Sequence, residues 1–283
     1  MKYFGQIKPK KSFSQNFLID NNIAKKIVAS LNLESGDIVI EIGCGTGALT
    51  KYLLEKKIIL IGIELDKNAF GVLSYKFPAE TFQNFHLLNK DILSINLKDY
   101  ISQNKINSKV KIIGNIPYSI SSRIFFWLFE QAEHIDNAVI MVQKELAERL
   151  TAKPKTKDYG ILTIALQLTG SAKKLFDVPP ECFYPKPSVT SSIIDIKFRE
   201  NPVKDDNFKK IMKFVRAAFS QRRKTLKNSL NNYFCDKSKI NYQQIIDDAS
   251  LNRLNYFSQR AEELSKDDFI EFYNFLQNHF RPE

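Results

Sequence analysis

Cysteine, histidine and tryptophan are scarce in this chain of 283 residues, with three, three and one copies. The cysteines, Cys44, Cys182 and Cys235, are odd in number and lack metal-ligand spacing. That excludes a disulfide framework and a zinc site, and reads as free thiols in a reducing compartment. The histidines, His86, His134 and His279, are scattered. No Ser/His/Asp arrangement is visible, so the chemistry must do without an imidazole base. Long apolar runs are missing as well. The longest, Ile124 to Phe129, has six residues, against the ~20 that span a bilayer. It reads as the buried face of a helix. Ile7 to Asn16 is polar, without the apolar core of a signal peptide. No internal repeat or low-complexity segment occurs. The expectation is a cytoplasmic protein with no membrane partner and no metal.

What is abundant is positive charge. The net charge is +11 and the isoelectric point about 9.3, which points to a polyanionic partner, nucleic acid before membrane. The charge is clustered. Lys204, Lys209, Lys210, Lys213, Arg216, Arg222, Arg223, Lys224 and Lys227 face only Asp205 and Asp206 in the same stretch. Lys2, Lys8, Lys10 and Lys11 form a second cluster. A hydrophobic content of 43% is enough for a sizeable core, in one large or two modest domains.

The first two thirds of the chain alternates strand and helix patterns. Strands are predicted at Asp37–Ile42, Ile58–Glu64, Phe85–Leu88, Val110–Gly114, Ala138–Val142 and Ser191–Phe198. Helices are predicted at Thr46–Lys56, Lys67–Lys76, Ser121–Gln131 and Lys144–Leu150. Such alternation implies right-handed βαβ units and an open, mostly parallel sheet. Lys153–Gly160 reads as a polar loop and Asp177–Pro187 as a proline-rich one. After Asn201-Pro202 only helical periods remain, as in Phe208, Ile211, Met212, Val215 and Phe219. The expected organisation is an α/β domain over residues 1–202 and a smaller all-α domain over 203–283.

Ligands in open α/β sheets bind outside the C-terminal ends of the strands, and the informative residues lie there. Gly43-x-Gly45-x-Gly47 allows positive φ and close backbone approach to a ligand. It is not the G-x-G-x-x-G dinucleotide fingerprint. Together with Glu41 and Thr46 it favours a nucleoside carrying an amino-acid tail over a pyrophosphate. Glu64, ending the second strand, can accept both ribose hydroxyls, whereas Asp66 is the better helix cap. Asp91 can accept from an adenine amino group. Asn115-Ile116-Pro117-Tyr118 sets an amide, a rigid proline and an aromatic ring at the next strand end. That combination suits a planar nitrogen substrate.

In this order the motifs resemble class I S-adenosylmethionine-dependent methyltransferases. Over nearly the full chain they resemble the bacterial small-subunit (16S) ribosomal RNA adenine dimethyltransferases, the KsgA/RsmA family. Ser14-Gln15-Asn16-Phe17-Leu18 matches the family's Gln-Asn-Phe-Leu segment. Gln143 to Arg149, Lys157-Asp158-Tyr159-Gly160, Phe183-Tyr184-Pro185-Lys186-Pro187-Ser188-Val189 and Gln221 to Asn228 follow in order. Ile161 departs from the pattern, where a basic residue is expected. The resemblance implies a Rossmann-like methyltransferase domain with a helical rRNA-binding domain. It also implies S-adenosylmethionine as methyl donor and 16S rRNA within the small subunit as partner; nothing in the sequence suggests more than a monomer, and the cysteine and histidine pattern suggests no metal. Asn16, Leu18, Gly43, Gly45, Glu64, Asp91 and Asn115 carry over as cofactor contacts.

The implied reaction methylates the exocyclic nitrogen of two adjacent adenosines near the RNA 3′ end, twice each, coupled to ribosome biogenesis. Asn115 and the Ile116 carbonyl would accept the amine hydrogens, and Pro117 would stiffen the loop. Tyr118 and Phe183 would sandwich the base, with stacking contributing ~1–3 kcal/mol. Ile116 stands where other amino methyltransferases have a second proline, and leaves room for the monomethylated amine. Arg216, Arg222, Arg223, Lys224 and Lys227 would contact RNA phosphates, which position without reading sequence. Two alternatives stay open: an Erm-type 23S rRNA adenine methyltransferase, and a mainly non-catalytic ribosome-assembly or RNA-binding factor.

Overall fold

The computed structural model describes residues 15–203, 205–235, 242–251 and 254–279. Lys2, Lys8, Lys10, Lys11, Ser14 and Lys204 lie outside the described residues, as does the side chain of Cys235. The chain divides into two compact units, residues 1–147 with 170–202, and residues 148–169 with 203–283.

The first unit is built on a seven-stranded sheet. In chain order its elements are β1 (Phe17–Leu18), α1 (Asn21–Ser30), β2 (Ile38–Ile42), α2 (Thr50–Leu53), β3 (Ile59–Ile63) and α3 (Lys67–Lys76). There follow β4 (Phe85–Leu88), α4 (Leu97–Gln103), β5 (Val110–Asn115), α5 (Ser121–Glu130), β6 (Ile135–Gln143) and α6 (Lys144–Leu150), which runs into the second unit. After α7 (Ile161–Thr169), a helix of the second unit, the chain returns for β7 (Gly170–Val178), β8 (Phe183–Tyr184) and β9 (Ser191–Phe198). The sheet order is β4-β3-β2-β5-β6-β9-β7, with β1 and β8 pairing separately. The strands from β4 to β6 are parallel, and β9 runs antiparallel to both of its neighbours.

The central strands are near-continuous Val, Ile and Leu because both faces are covered. Val39, Leu60, Ile113, Val139 and Met141 share one core cluster with Ala24, Ile27 and Val28 of α1, Leu53 of α2 and Leu73 of α3. The chain enters this sheet at β2, moves outward to β3 and β4, then returns to pair β5 on the other side of β2. The strand order reverses there, and that crevice is the usual ligand position in such sheets. Only Thr50–Leu53 of the helix expected over Thr46–Lys56 is α-helical, because Gly47, at φ +80°, folds the start of the segment into turns.

The second unit contains α7, then α8 (Asp205–Ala218), α9 (Leu226–Ser229), α10 (Asn231–Cys235), α11 (Tyr242–Leu251) and α12 (Lys266–His279). The contiguous 1–202 domain expected from the sequence is not how the chain divides. Helix α7 buries Leu162, Ile164, Ala165, Leu166 and Leu168, so apolar groups leave it on nearly every side. It packs on α8 and α12. Such a helix needs neighbours all round, and a bundle supplies them. Phe214, fully buried, is ringed by Tyr233, Phe269, Phe272 and Tyr273 at centroid distances of 5.4–6.2 Å.

Candidate functional site

At the C-terminal ends of β2, β3 and β5 the first unit holds a cavity of about 330 Å³. Asn16, Leu18, Gly43, Gly45, Glu64, Asp91, Asn115, Ile116, Pro117 and Tyr118 all line it. Residues spread over a hundred positions of sequence are brought together because parallel strands end on the same edge.

The loop after β2 is shaped by its glycines, with Gly43, Gly45 and Gly47 at φ +71°, +54° and +80°. At Gly47 a Cβ would also lie 2.7 Å from Cε2 of Phe77. The Lys76 ammonium donates to the Thr46 carbonyl at 3.2 Å and ties the loop to α3.

Two carboxyl groups lie beneath this loop. Glu64 is buried; its Oε2 accepts the Gly45 amide and its Oε1 the Asp66 amide, both at 2.8 Å. Burial raises its pKa, against the opposing effect of these two amides. Glu41 is more deeply enclosed and accepts the Thr50 hydroxyl at 2.7 Å. Desolvation pushes its pKa up to about 8. Burial therefore favours its protonated form at neutral pH. The sequence signalled Glu41 only as part of the glycine motif. Its charge state follows from burial. Cys44, also in the lining, is a buried thiol whose pKa burial raises, so it is inert as a nucleophile.

Asp66 caps α3 by accepting the Asn68 amide at 3.0 Å, and it also accepts the Gln15 side-chain amide at 3.1 Å. Asp91 caps the short turn Ile92–Ser94 by accepting the Leu93 amide at 2.9 Å. It serves that turn and faces the cavity at once. Gln15, Asp66, Lys90 and Arg123 line the cavity too. Gln15 and Asp66 were noted in the sequence only as part of a motif and as a helix cap, and Lys90 and Arg123 carry no local signal.

Asn115 ends β5. Its Nδ2 donates to the backbone carbonyl of Asn16 at 3.0 Å, across 99 positions of sequence. With the donor end engaged, Oδ1 is the acceptor the amide has to offer. Pro117 accepts the Ser121 hydroxyl at 3.0 Å, which steadies the turn into α5. The Tyr118 hydroxyl is hydrogen-bonded to Ser191 Oγ at 2.6 Å, which fixes the ring, and burial raises its pKa. Ile116 is buried beneath the turn.

Phe183 is not brought into this lining. It pairs with Leu18 in the two-stranded sheet and is buried in the α1-side core with Val178 and Cys182. Strand alternation turns Tyr184 to solvent instead, at 52% exposure. The structure thus places one of the two expected sandwich rings, Tyr118, at the cavity.

The basic residues belong to the second unit. Lys209, Lys213 and Arg216 are exposed along α8 at helical spacing, and Arg223, Lys224 and Lys227 are exposed beyond it. Arg222 has a different position. Its Nε donates to Glu262 at 2.6 Å and its guanidinium also reaches the Thr156 carbonyl at 3.2 Å. Tyr159 and Gly160 of the Lys-Asp-Tyr-Gly motif are structural within the same unit. The Tyr159 hydroxyl donates to the Leu264 carbonyl at 2.8 Å, and the Gly160 amide donates to Thr163 at 3.3 Å.

Comparison with known proteins agrees with this geometry. The chain is 39% identical over 272 residues to a Ureaplasma parvum protein named ribosomal RNA small subunit methyltransferase A, covering 95% of this chain and 94% of that one. It superposes on a dimethyladenosine transferase from Plasmodium falciparum with a TM-score of 0.73 at 27% identity, over 92% of this chain and 98% of the other. The fold is also that of the 23S rRNA methyltransferase ErmE, with a TM-score of 0.64 at 21% identity over 93% and 100% of the two chains. Residues 6–277 match the model of the ribosomal RNA adenine dimethylase family, and over that span, with the cavity and its Asn-Ile-Pro-Tyr turn in place, the chain belongs to that family.

Proposed function

We propose that this enzyme dimethylates N6 of two adjacent adenosines near the 3′ end of 16S rRNA in the small ribosomal subunit. It would act in the cytoplasm as a monomer during ribosome biogenesis. The observation that carries the reading is the orientation of Asn115, whose amide donates to Asn16 and so keeps its acceptor for the substrate amine.

The cavity fits S-adenosylmethionine. Its volume falls in the small-ligand range, and Glu64, Asp66 and Asp91 suit a cationic nucleoside. When bound, S-adenosylmethionine would supply an electrophilic methyl carbon on a sulfonium, with a neutral thioether as the leaving group when the C–S bond breaks.

Asn115 Oδ1 and the Ile116 carbonyl accept the two N–H hydrogens of adenine N6. This turns the nitrogen lone pair out of conjugation and toward the methyl carbon. Proximity and alignment carry the rate, up to about 10⁵–10⁸ M in effective molarity for well-oriented groups. The resulting ammonium is acidic and loses its proton to water, so no strong base is needed. Tyr118, held by Ser191, offers its ring to the unstacked base, and Pro117 keeps the turn rigid. In the conformation described, Phe183 supports β1 from the core, and through it Asn16 and Leu18. Gly43 and Gly45 let the ligand approach the backbone, and Glu64 takes the ribose hydroxyls.

In the second unit, Arg216, Arg223, Lys224 and Lys227 contact RNA phosphates, while Arg222 braces their loop through Glu262. The test is labelled-methyl transfer to unmethylated small subunits, followed by nucleoside analysis, with Asn115→Ala alongside. Dimethyladenosine from the wild type, and a loss of at least about 10²-fold in the variant, is expected. Transfer to large-subunit RNA in its place would overturn the substrate assignment.

A further inference from the structure

A cavity lined by Glu64, Asp66 and Asp91 suits a cation. Two of its lining residues contradict that character. Lys90, next to Asp91, and Arg123, in the first turn of α5, both line the cavity and both are exposed, so they stand at its rim. Among the described residues neither has an ion-pair partner within reach.

Folding does not account for Arg123. Arg123 lies at the positive end of the α5 dipole, where a cation is disfavoured, and the first turn of α5 holds no acidic residue to offset it. Lys90 lies exposed on the loop between β4 and the Asp91-capped turn. Both also flank the segments that bear on the reaction: Lys90 precedes Asp91, and Arg123 follows the Asn115–Tyr118 turn. Two exposed cations at the mouth of an acidic cavity attract an anion that stops at the rim while its neutral part goes deeper. A nucleotide entering base-first has that form.

We propose that Arg123 and Lys90 are positioning residues that hold the phosphates on either side of the target adenosine while its base enters the cavity. The inference rests on the RNA-methylation reading and deepens it. Arg123 provides a planar fork for one phosphate, and Lys90 a point charge for the next. They act after capture of the RNA by the second unit and set the depth and register of the target base. A carboxylate shares the phosphate's chemistry, and the amino-acid tail of S-adenosylmethionine carries one. The test separates the two sources.

Wild type, Arg123→Gln, Lys90→Gln, the double variant and Arg123→Lys are compared in steady-state methylation of unmethylated small subunits at several salt concentrations. Binding of S-adenosylmethionine to each is measured by calorimetry. Each Gln variant is expected to raise KM for the subunit about tenfold, with kcat within about threefold. Each should also lower the slope of log KM against log salt by roughly 0.7–0.9, as for one lost phosphate contact. Arg123→Lys restores part of the salt slope. S-adenosylmethionine affinity stays at the wild-type value throughout. Unchanged subunit KM and salt slope in the double variant overturn the proposal. So does weakened S-adenosylmethionine binding with subunit KM intact, which would assign the cations to the cofactor carboxylate. A wild type that methylates no small subunit removes the parent reading, and this inference with it. A wild type that does so while both Gln variants match it removes this inference alone.

Discussion

Replacing Glu41 by Gln isolates the cost of a carboxyl group buried in the cavity. The ordinary pKa of 4.5 rises to about 8 in the fold, with desolvation as the largest cause. Below about pH 4.5 the group is protonated in both folded and unfolded chains, and the stability it leaves to the fold is fully present. Between 4.5 and 8 the unfolded chain is ionised while the fold keeps the proton. Each pH unit in that window removes about 1.4 kcal/mol. Above the folded value the loss is complete, on the order of 5 kcal/mol. Gln keeps the shape and an acceptor for the Thr50 hydroxyl, now at 2.7 Å from Oε2, without the titration.

Trp127, the single tryptophan, reports on the same unit, buried in α5 with its indole N–H donating to the Ile95 carbonyl at 2.7 Å. Denaturant unfolding followed by its fluorescence, without ligand, measures both proteins at about pH 5.5 and about pH 8.5. Between those conditions Glu41→Gln should gain about 3 kcal/mol on the wild type. Glu64, whose pKa burial also raises, titrates in both proteins, and its repulsion of the Glu41 carboxylate is part of the effect measured. A gap that stays constant within about 0.5 kcal/mol would refute the account, because the carboxyl would then titrate as it does in the unfolded chain.

Two further perturbations test the packing around the site and the second unit. Gly47→Ala places a Cβ at φ +80° and 2.7 Å from Phe77, and should cost ~1–3 kcal/mol, read as a lowered thermal midpoint of Trp127 fluorescence. Phe214→Ala empties the centre of an aromatic cluster and should cost ~3–5 kcal/mol, seen as faster amide hydrogen exchange in α8 and α12. Wild-type exchange rates in α12 would count against that cluster as the core of the second unit.

The sequence by itself determined the local features. Strands announced themselves through β-branched runs such as Val110–Ile113, and their ends through Gly43, Glu64, Asp91 and Asn115. Those signals depend only on neighbouring residues. Asp66 as helix cap was legible for the same reason, since a cap bonds an amide two residues away. Contacts across the chain were not legible. The allegiance of α7 was decided by which neighbours could cover a helix that is apolar on nearly every side, and α8 and α12 did so. Phe183 and Tyr184 are adjacent aromatics in a proline-rich stretch, and only the pairing of β8 with β1 decided which of them faces the core. Arg222 reads like the basic residues around it until Glu262, forty positions on, takes its guanidinium. Asn115 was visible as an amide at a strand end, but which end of the amide is free was decided by the Asn16 carbonyl. Glu41 was visible as an acid, and its proton was decided by burial, a property of the assembled cavity. Local hydrogen bonding and periodicity are written in sequence order, whereas desolvation and long-range partners exist only once the chain has closed around the site.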